Sequence, residues 1–94
     1  MPNVLRINVR DNVVVALVDL PPGTTLKLGE GVLEPCITSR EAIPFGHKVA
    51  IARIAKGQPV MKYGAPIGVA VEDIAPGEHV HVHNLRSVRG VVEP

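Results

Sequence analysis

Residues 74–80, Ile74-Ala75-Pro76-Gly77-Glu78-His79-Val80, carry the pattern that sets the fold. An apolar residue is followed by Ala or Pro, any residue, Gly, two mostly polar residues and a second apolar residue. The same form recurs as Leu20-Pro21-Pro22-Gly23-Thr24-Thr25-Leu26, Ile43-Pro44-Phe45-Gly46-His47-Lys48-Val49 and Ile54-Ala55-Lys56-Gly57-Gln58-Pro59-Val60. Glycine at the fourth position suits a turn that needs positive φ. The apolar ends can anchor the flanking chain in a core. Four such corners in 94 residues predict a mostly-β domain of short strands and glycine turns.

The rest of the chain agrees. Nine Gly and nine Pro are spread along it, with β-branched residues between them. Val4 to Val9 alternates roughly apolar and polar, and Arg10-Asp11-Asn12 reads as a turn. Val13 to Val18 is a continuous apolar run of buried-strand length. Residues 62–68, KYGAPIG, form a turn-rich element between strands around Val60-Met61 and Val69-Ala70-Val71. The one helical candidate is a short turn at Ser39-Arg40-Glu41-Ala42, which Pro44 limits. There is no linker or low-complexity tract, so residues 1–94 read as a single small domain.

Composition narrows the function. Ten basic and nine acidic residues give a net charge of +1, with no basic block to suggest a nucleic-acid or membrane partner. Phe45 and Tyr63 are the only aromatics, which argues against binding single strands by base stacking. A single cysteine, Cys36, excludes an intrachain disulfide and fits a reducing cytoplasm. Flanked by Pro35 and Ile37, Cys36 is expected to pack as a small hydrophobe. The N-terminus lacks a basic segment followed by an apolar one.

Three of the four histidines fall in five residues, at alternate positions, in Glu78-His79-Val80-His81-Val82-His83-Asn84-Leu85. If residues 79–83 are extended, His79, His81 and His83 share one face and Val80 and Val82 the other, packed inward. Two adjacent imidazoles can lean onto one ion, but a flat strand does not readily bring all three together. Imidazole near neutral pH serves metal binding and acid–base chemistry alike, and the pattern does not choose between them. The plain alternative is a solvated surface. Phe45-Gly46-His47-Lys48 and Lys62-Tyr63-Gly64 place cationic or phenolic groups at further glycine turns, where a carboxylate could bind. Ordinary turn surface accounts for either as well.

The run from Ile43 to Leu85 resembles the SAF-type N-terminal domain of the altronate/galactarate dehydratase family. The residues carrying the likeness are IPFGHKVA, KYGAPIG and GEHVHVHNL, and the upstream DNVVVALVDLPPGTTL is similar to that domain's opening. The resemblance implies a β-clip fold. It implies dehydration of a sugar acid such as altronate or galactarate to a 2-keto-3-deoxy acid. It also implies a divalent metal, Fe2+ with Mn2+ as the alternative, shared with a large catalytic subunit. Within that chemistry His79, His81 and His83 are the catalytic candidates and His81 with His83 the metal pair. His47, Lys48, Lys62, Tyr63 and Asn84 are the substrate-binding candidates. Because the sequence stops at Pro94, it reads as a small subunit or an excised domain, inactive alone, with self-association left open. The rivals are the small subunit of a sulfolactate sulfo-lyase and a non-catalytic binding or assembly module.

Overall fold

The computed structural model describes residues 2–29, 31–32 and 36–87; the final part of the expected 1–94 domain lies outside them. The described residues hold nine short strands and no helix. These are β1 (Val4–Leu5), β2 (Val13–Ala16), β3 (Lys27–Leu28), β4 (Gly31–Val32), β5 (Lys48–Ala50), β6 (Pro59–Lys62), β7 (Ala65–Ala70), β8 (His79–Val80) and β9 (Leu85–Ser87). They form a four-stranded sheet in the order β1-β2-β5-β8, a β3-β4 pair and a three-stranded sheet in the order β6-β7-β9. Every pairing is antiparallel. This is the mostly-β arrangement expected for a SAF-like β-clip.

The fourfold repeat organises the core. The glycines at its fourth position, Gly23, Gly46, Gly57 and Gly77, have φ of 83, 85, 86 and 92°. In three copies the N–H after the glycine donates to the carbonyl three residues back: His47 to Pro44, Gln58 to Ala55, Glu78 to Ala75. A type II turn has this geometry. Both apolar ends of every copy are buried. Those of the first two copies (Leu20, Leu26, Ile43, Val49) share one cluster, and those of the last two (Ile54, Val60, Ile74, Val80) share another. Bridges Leu20–Ile43 and Ile54–Ile74 tie the copies into two pairs. The four-stranded sheet separates the clusters, with Val14 and Val49 in one and Val13, Ala50 and Val80 in the other. At about 25 cal/mol per Å2 such two-sided burial supplies most of the folding drive.

Backbone donors explain the choice of residue at each corner. Where the second position is Ala, its N–H must be satisfied, and the fifth residue does so: Gln58 Oε1 accepts from Ala55 and Glu78 Oε1 from Ala75. Where the second position is Pro21 or Pro44 there is no N–H to satisfy. The fifth residue is then released from that duty, and in the second copy it is His47. The third position follows a similar rule. Phe45 N–H donates to Asp19 and Lys56 N–H to Asp73, whereas Pro22 and Pro76 need no acceptor.

Residues 39–42, the helical candidate, form a bend instead. A helical turn there would close from the Ile43 N–H to the Ser39 carbonyl, but Ile43 donates to Leu20 and the Ser39 carbonyl accepts from Gly23. Cys36 is exposed rather than packed, since the adjacent Ile37 turns into the core and the extended backbone sends its neighbour outward. The KYGAPIG element is the β6–β7 hairpin. Its two loop residues, Tyr63 and Gly64, have φ of 61 and 73°, as a two-residue type I′ turn requires. Asp11, buried, fixes that tip by accepting the N–H groups of Tyr63, Gly64 and Asn8.

Candidate functional site

The expected extended run 79–83 does not hold. β8 ends at Val80, and the chain turns through residues 81–84. Asn84 causes the turn. Its Oδ1 accepts from the His81 N–H at 2.9 Å and its Nδ2 donates to the His79 carbonyl at 2.8 Å. The His81 carbonyl in turn accepts from the N–H groups of Asn84 and Leu85. Val80 is therefore fully buried as expected, while Val82 sits on the tip of the turn at 83% exposure. Val82 thus points into solvent and not inward as its alternation with Val80 predicts.

The imidazoles meet across strands. In the β5–β8 register Lys48 pairs with Val80 and Val49 with His79. Continuing that antiparallel register by one residue sets His47 opposite His81. Side chains of directly opposed residues lie on one face, so His47, His79 and His81 converge. Their rings are nearly parallel. The centroids of His47 and His81 are 4.1 Å apart with planes at 14°, and His47 and His79 are 5.0 Å apart at 18°. Nδ1 of His47 and Nε2 of His79 lie 2.8 Å apart in a hydrogen bond, one donating and the other accepting. One nitrogen from each of the three residues fits within a 4.8 Å cluster. His83 stands outside this group, exposed, its ring tilted at 38° and 5.3 Å from that of His79. Of the expected pair, His81 lies in this grouping with His47 and His79 while His83 does not, because the turn carries His83 away from the line of β8.

The surroundings favour neutral imidazoles. His79 is held below its ordinary value by loss of hydration first and then by His47 and His83, with Glu41 pulling the other way. His81 is lowered by loss of hydration, then by His47, Lys48 and His83. Glu41 also anchors the site structurally, its Oε2 accepting the His79 N–H at 3.0 Å. Sequence reading passed over Glu41; its only signal is a carboxylate two residues before the second repeat copy.

The other candidates fall into two groups. Lys48 alternates onto the opposite face of β5 from His47 and Val49, half-buried, and its ammonium is lowered by burial and by the charge of Lys62. The Lys62 ammonium lies 4.9 Å over the exposed Tyr63 ring at the hairpin tip. Neither lysine forms an ion pair among the described residues, where Arg53 and Asp73 make the bridge observed. Asn84 is buried with both amide groups engaged by backbone, so it positions His81 rather than offering a surface to a substrate. An open apolar depression lined by Leu20, Pro21, Ile43 and Pro44 lies between the first two corners, and no histidine lines it.

A small antiparallel β domain with imidazoles gathered from a glycine turn and a strand end is the class that fold and site define. Comparison places it further. The model of the altronate/galactarate dehydratase SAF domain matches residues 2–88, and the chain belongs to that family. It is 47% identical over 83 residues to the altronate dehydratase of Escherichia coli (strain K12), covering 88% of this chain and 16% of that protein. It is 40% identical over 87 residues to the altronate dehydratase of Bacillus subtilis (strain 168), covering 93% of this chain and 17% of that protein. The chain thus spans about one-sixth of the length of these two relatives. It is also 50% identical over 50 residues to the (2R)-sulfolactate sulfo-lyase subunit alpha of Chromohalobacter salexigens, covering 53% of each chain.

Proposed function

We propose that this chain is the SAF part of a carbon–oxygen lyase that eliminates water from a hexonate or hexarate to give a 2-keto-3-deoxy acid. A larger catalytic region or subunit completes the enzyme, and the chain alone turns nothing over. One observation carries the reading: the imidazoles of two family-matched segments, residues 43–50 and 78–85, converge on one patch. Eliminating water from a 2,3-dihydroxy acid takes the proton α to the carboxylate and gives a proton to the departing 3-hydroxyl. Neutral imidazole can accept the first proton, and its conjugate acid can deliver the second. His83, outside the trio and exposed, is the imidazole left free for that exchange, while His79 and His81 face the reacting centre. A bound divalent ion would stabilise the charge that develops on the carboxylate and α-oxygen. Lys48, on the opposite face of β5, and Lys62, against Tyr63 at the hairpin tip, stand apart from that patch, so the substrate's carboxylate is left to the larger region.

A second reading is supported by the sulfo-lyase relatives. There the same α-proton removal would expel sulfite instead of water. Among the described residues no helix is long and apolar enough to cross a membrane, and a cytoplasmic setting suits both readings. Co-purification from the native host identifies the larger polypeptide, and assay of the pair on altronate, galactarate and sulfolactate separates them. Turnover of sulfolactate alone would replace the first reading by the second. Turnover of none by a stable pair would refute both.

A further inference from the structure

We propose that His47, His79 and His81 together form a three-imidazole binding site for a late first-row divalent ion, such as Fe2+, Co2+ or Zn2+. The donor set argues for this class. All three donors are nitrogens, which suit the later transition metals, while Mg2+ and Ca2+ take oxygen. The grouping contains no carboxylate or thiolate. Three protein ligands leave at least one position open, the pattern of an ion that meets a substrate rather than one that only braces a fold.

The dimensions fit with small movements. Ligand nitrogens at about 2.0–2.1 Å from an ion in tetrahedral array lie about 3.3 Å from one another. Nδ1 of His47 and Nε2 of His79 are at 2.8 Å and need to part by about half an ångström. Their hydrogen bond already points the two nitrogens at each other: one offers a bare lone pair, and a tautomer shift in the other ring bares the second. The His81 nitrogen, within 4.8 Å of both, closes in as its ring turns out of the stack. All three rings are only half-buried, so turning costs little packing. The backbone beneath them is fixed: Glu41 and Asn84 hold the N–H groups of His79 and His81, and β5 holds the chain after His47. His83 takes no part.

The site does not depend on the reaction proposed above. The test uses the 94-residue chain, made without a polyhistidine tag and titrated with Co2+. Binding is followed by visible absorption and calorimetry, with Zn2+ as competitor and Mg2+ as control. The expected result is one Co2+ per chain, displaced by Zn2+ and not by Mg2+. His47→Gln, His79→Gln and His81→Gln each weaken binding about tenfold or more, and His83→Gln leaves it unchanged. Circular dichroism on each variant verifies the fold, so a loss of binding is read only from folded protein. Absence of saturable Co2+ binding would overturn the site, as would full retention by His47→Gln or an equal loss in His83→Gln. If Co2+ binds as described while the reconstituted pair lacks lyase activity, the metal site stands and the lyase reading falls; the reverse pattern does the opposite.

Discussion

Asn84→Ala tests whether a buried amide, rather than strand geometry, sets the position of His81. The side chain is 3% exposed and makes two hydrogen bonds, to the His81 N–H and the His79 carbonyl. Each is worth about 1 kcal/mol net, so deletion costs about 2 kcal/mol, and more if the two backbone groups stay dry. A domain of this size has about 5–15 kcal/mol of stability, so the variant still folds. At about 4–8 °C per kcal/mol, Tm falls by about 8–16 °C. Because the lost bonds frame the turn at residues 81–84, Co2+ binding by the chain weakens as well. Thermal melting by circular dichroism reads the first effect and Co2+ titration the second, with Val82→Ala on the same turn as reference. A Tm loss under about 3 °C with unchanged Co2+ affinity would show that the turn holds without Asn84, and the account of His81 would fail.

Val82→Asp should change stability by no more than about 0.5 kcal/mol, since Val82 projects into solvent, whereas Val80→Asp buries a charge and unfolds the domain; urea midpoints compare them. Gly57→Ala keeps an open site and carries only the strain of positive φ, about 1–2 kcal/mol. Gly77→Ala adds a collision of the new methyl with the Thr38 carbonyl and should cost more; equal losses in denaturant melts would contradict this. Stability should also fall on acidification through the histidine range. The native values of His79 and His81 lie below the unfolded value of 6.5. Above that value neither state is charged. Below it the unfolded chain binds protons that the native site resists, so stability drops until the native rings also protonate. The urea midpoint should therefore be lower at about pH 5.5 than at about pH 7.5, and a His79→Gln/His81→Gln double variant should shrink the difference.

The fold was legible because its signal is local. Glycine at the fourth position and apolar residues at the first and seventh can be read within seven residues, and all four copies form the turns they spell. The site was half legible. The spacing of His79, His81 and His83 singles out the segment, but which imidazoles meet depends on a register between β5 and β8, about thirty residues apart. Local alternation cannot supply a register. The end of β8 was missed for a related reason: Asn84 competes with the strand through its side chain, an Asx-type effect that period-two counting ignores. Aligning the repeat copies holds the missing hint, since it sets His47 in the second corner where Gln58 and Glu78 stand in the third and fourth.

That alignment also explains why the imidazoles gather at this corner. Four corners of one design cannot all carry chemistry, because the fifth side chain is normally consumed in capping the N–H of the second residue. Gln58 and Glu78 are spent this way on Ala55 and Ala75. Proline at the second position removes the donor and with it the need for a cap. Pro21 and Pro44 are the two such positions. Thr24, behind Pro21, turns its hydroxyl back to the Pro21 carbonyl. His47, behind Pro44, enters β5 one residue beyond its pairing with β8, and its ring meets those of His79 and His81 there. Freedom from capping and a neighbouring strand end coincide at His47, so the second corner can hold a cross-strand imidazole without leaving a backbone donor unsatisfied.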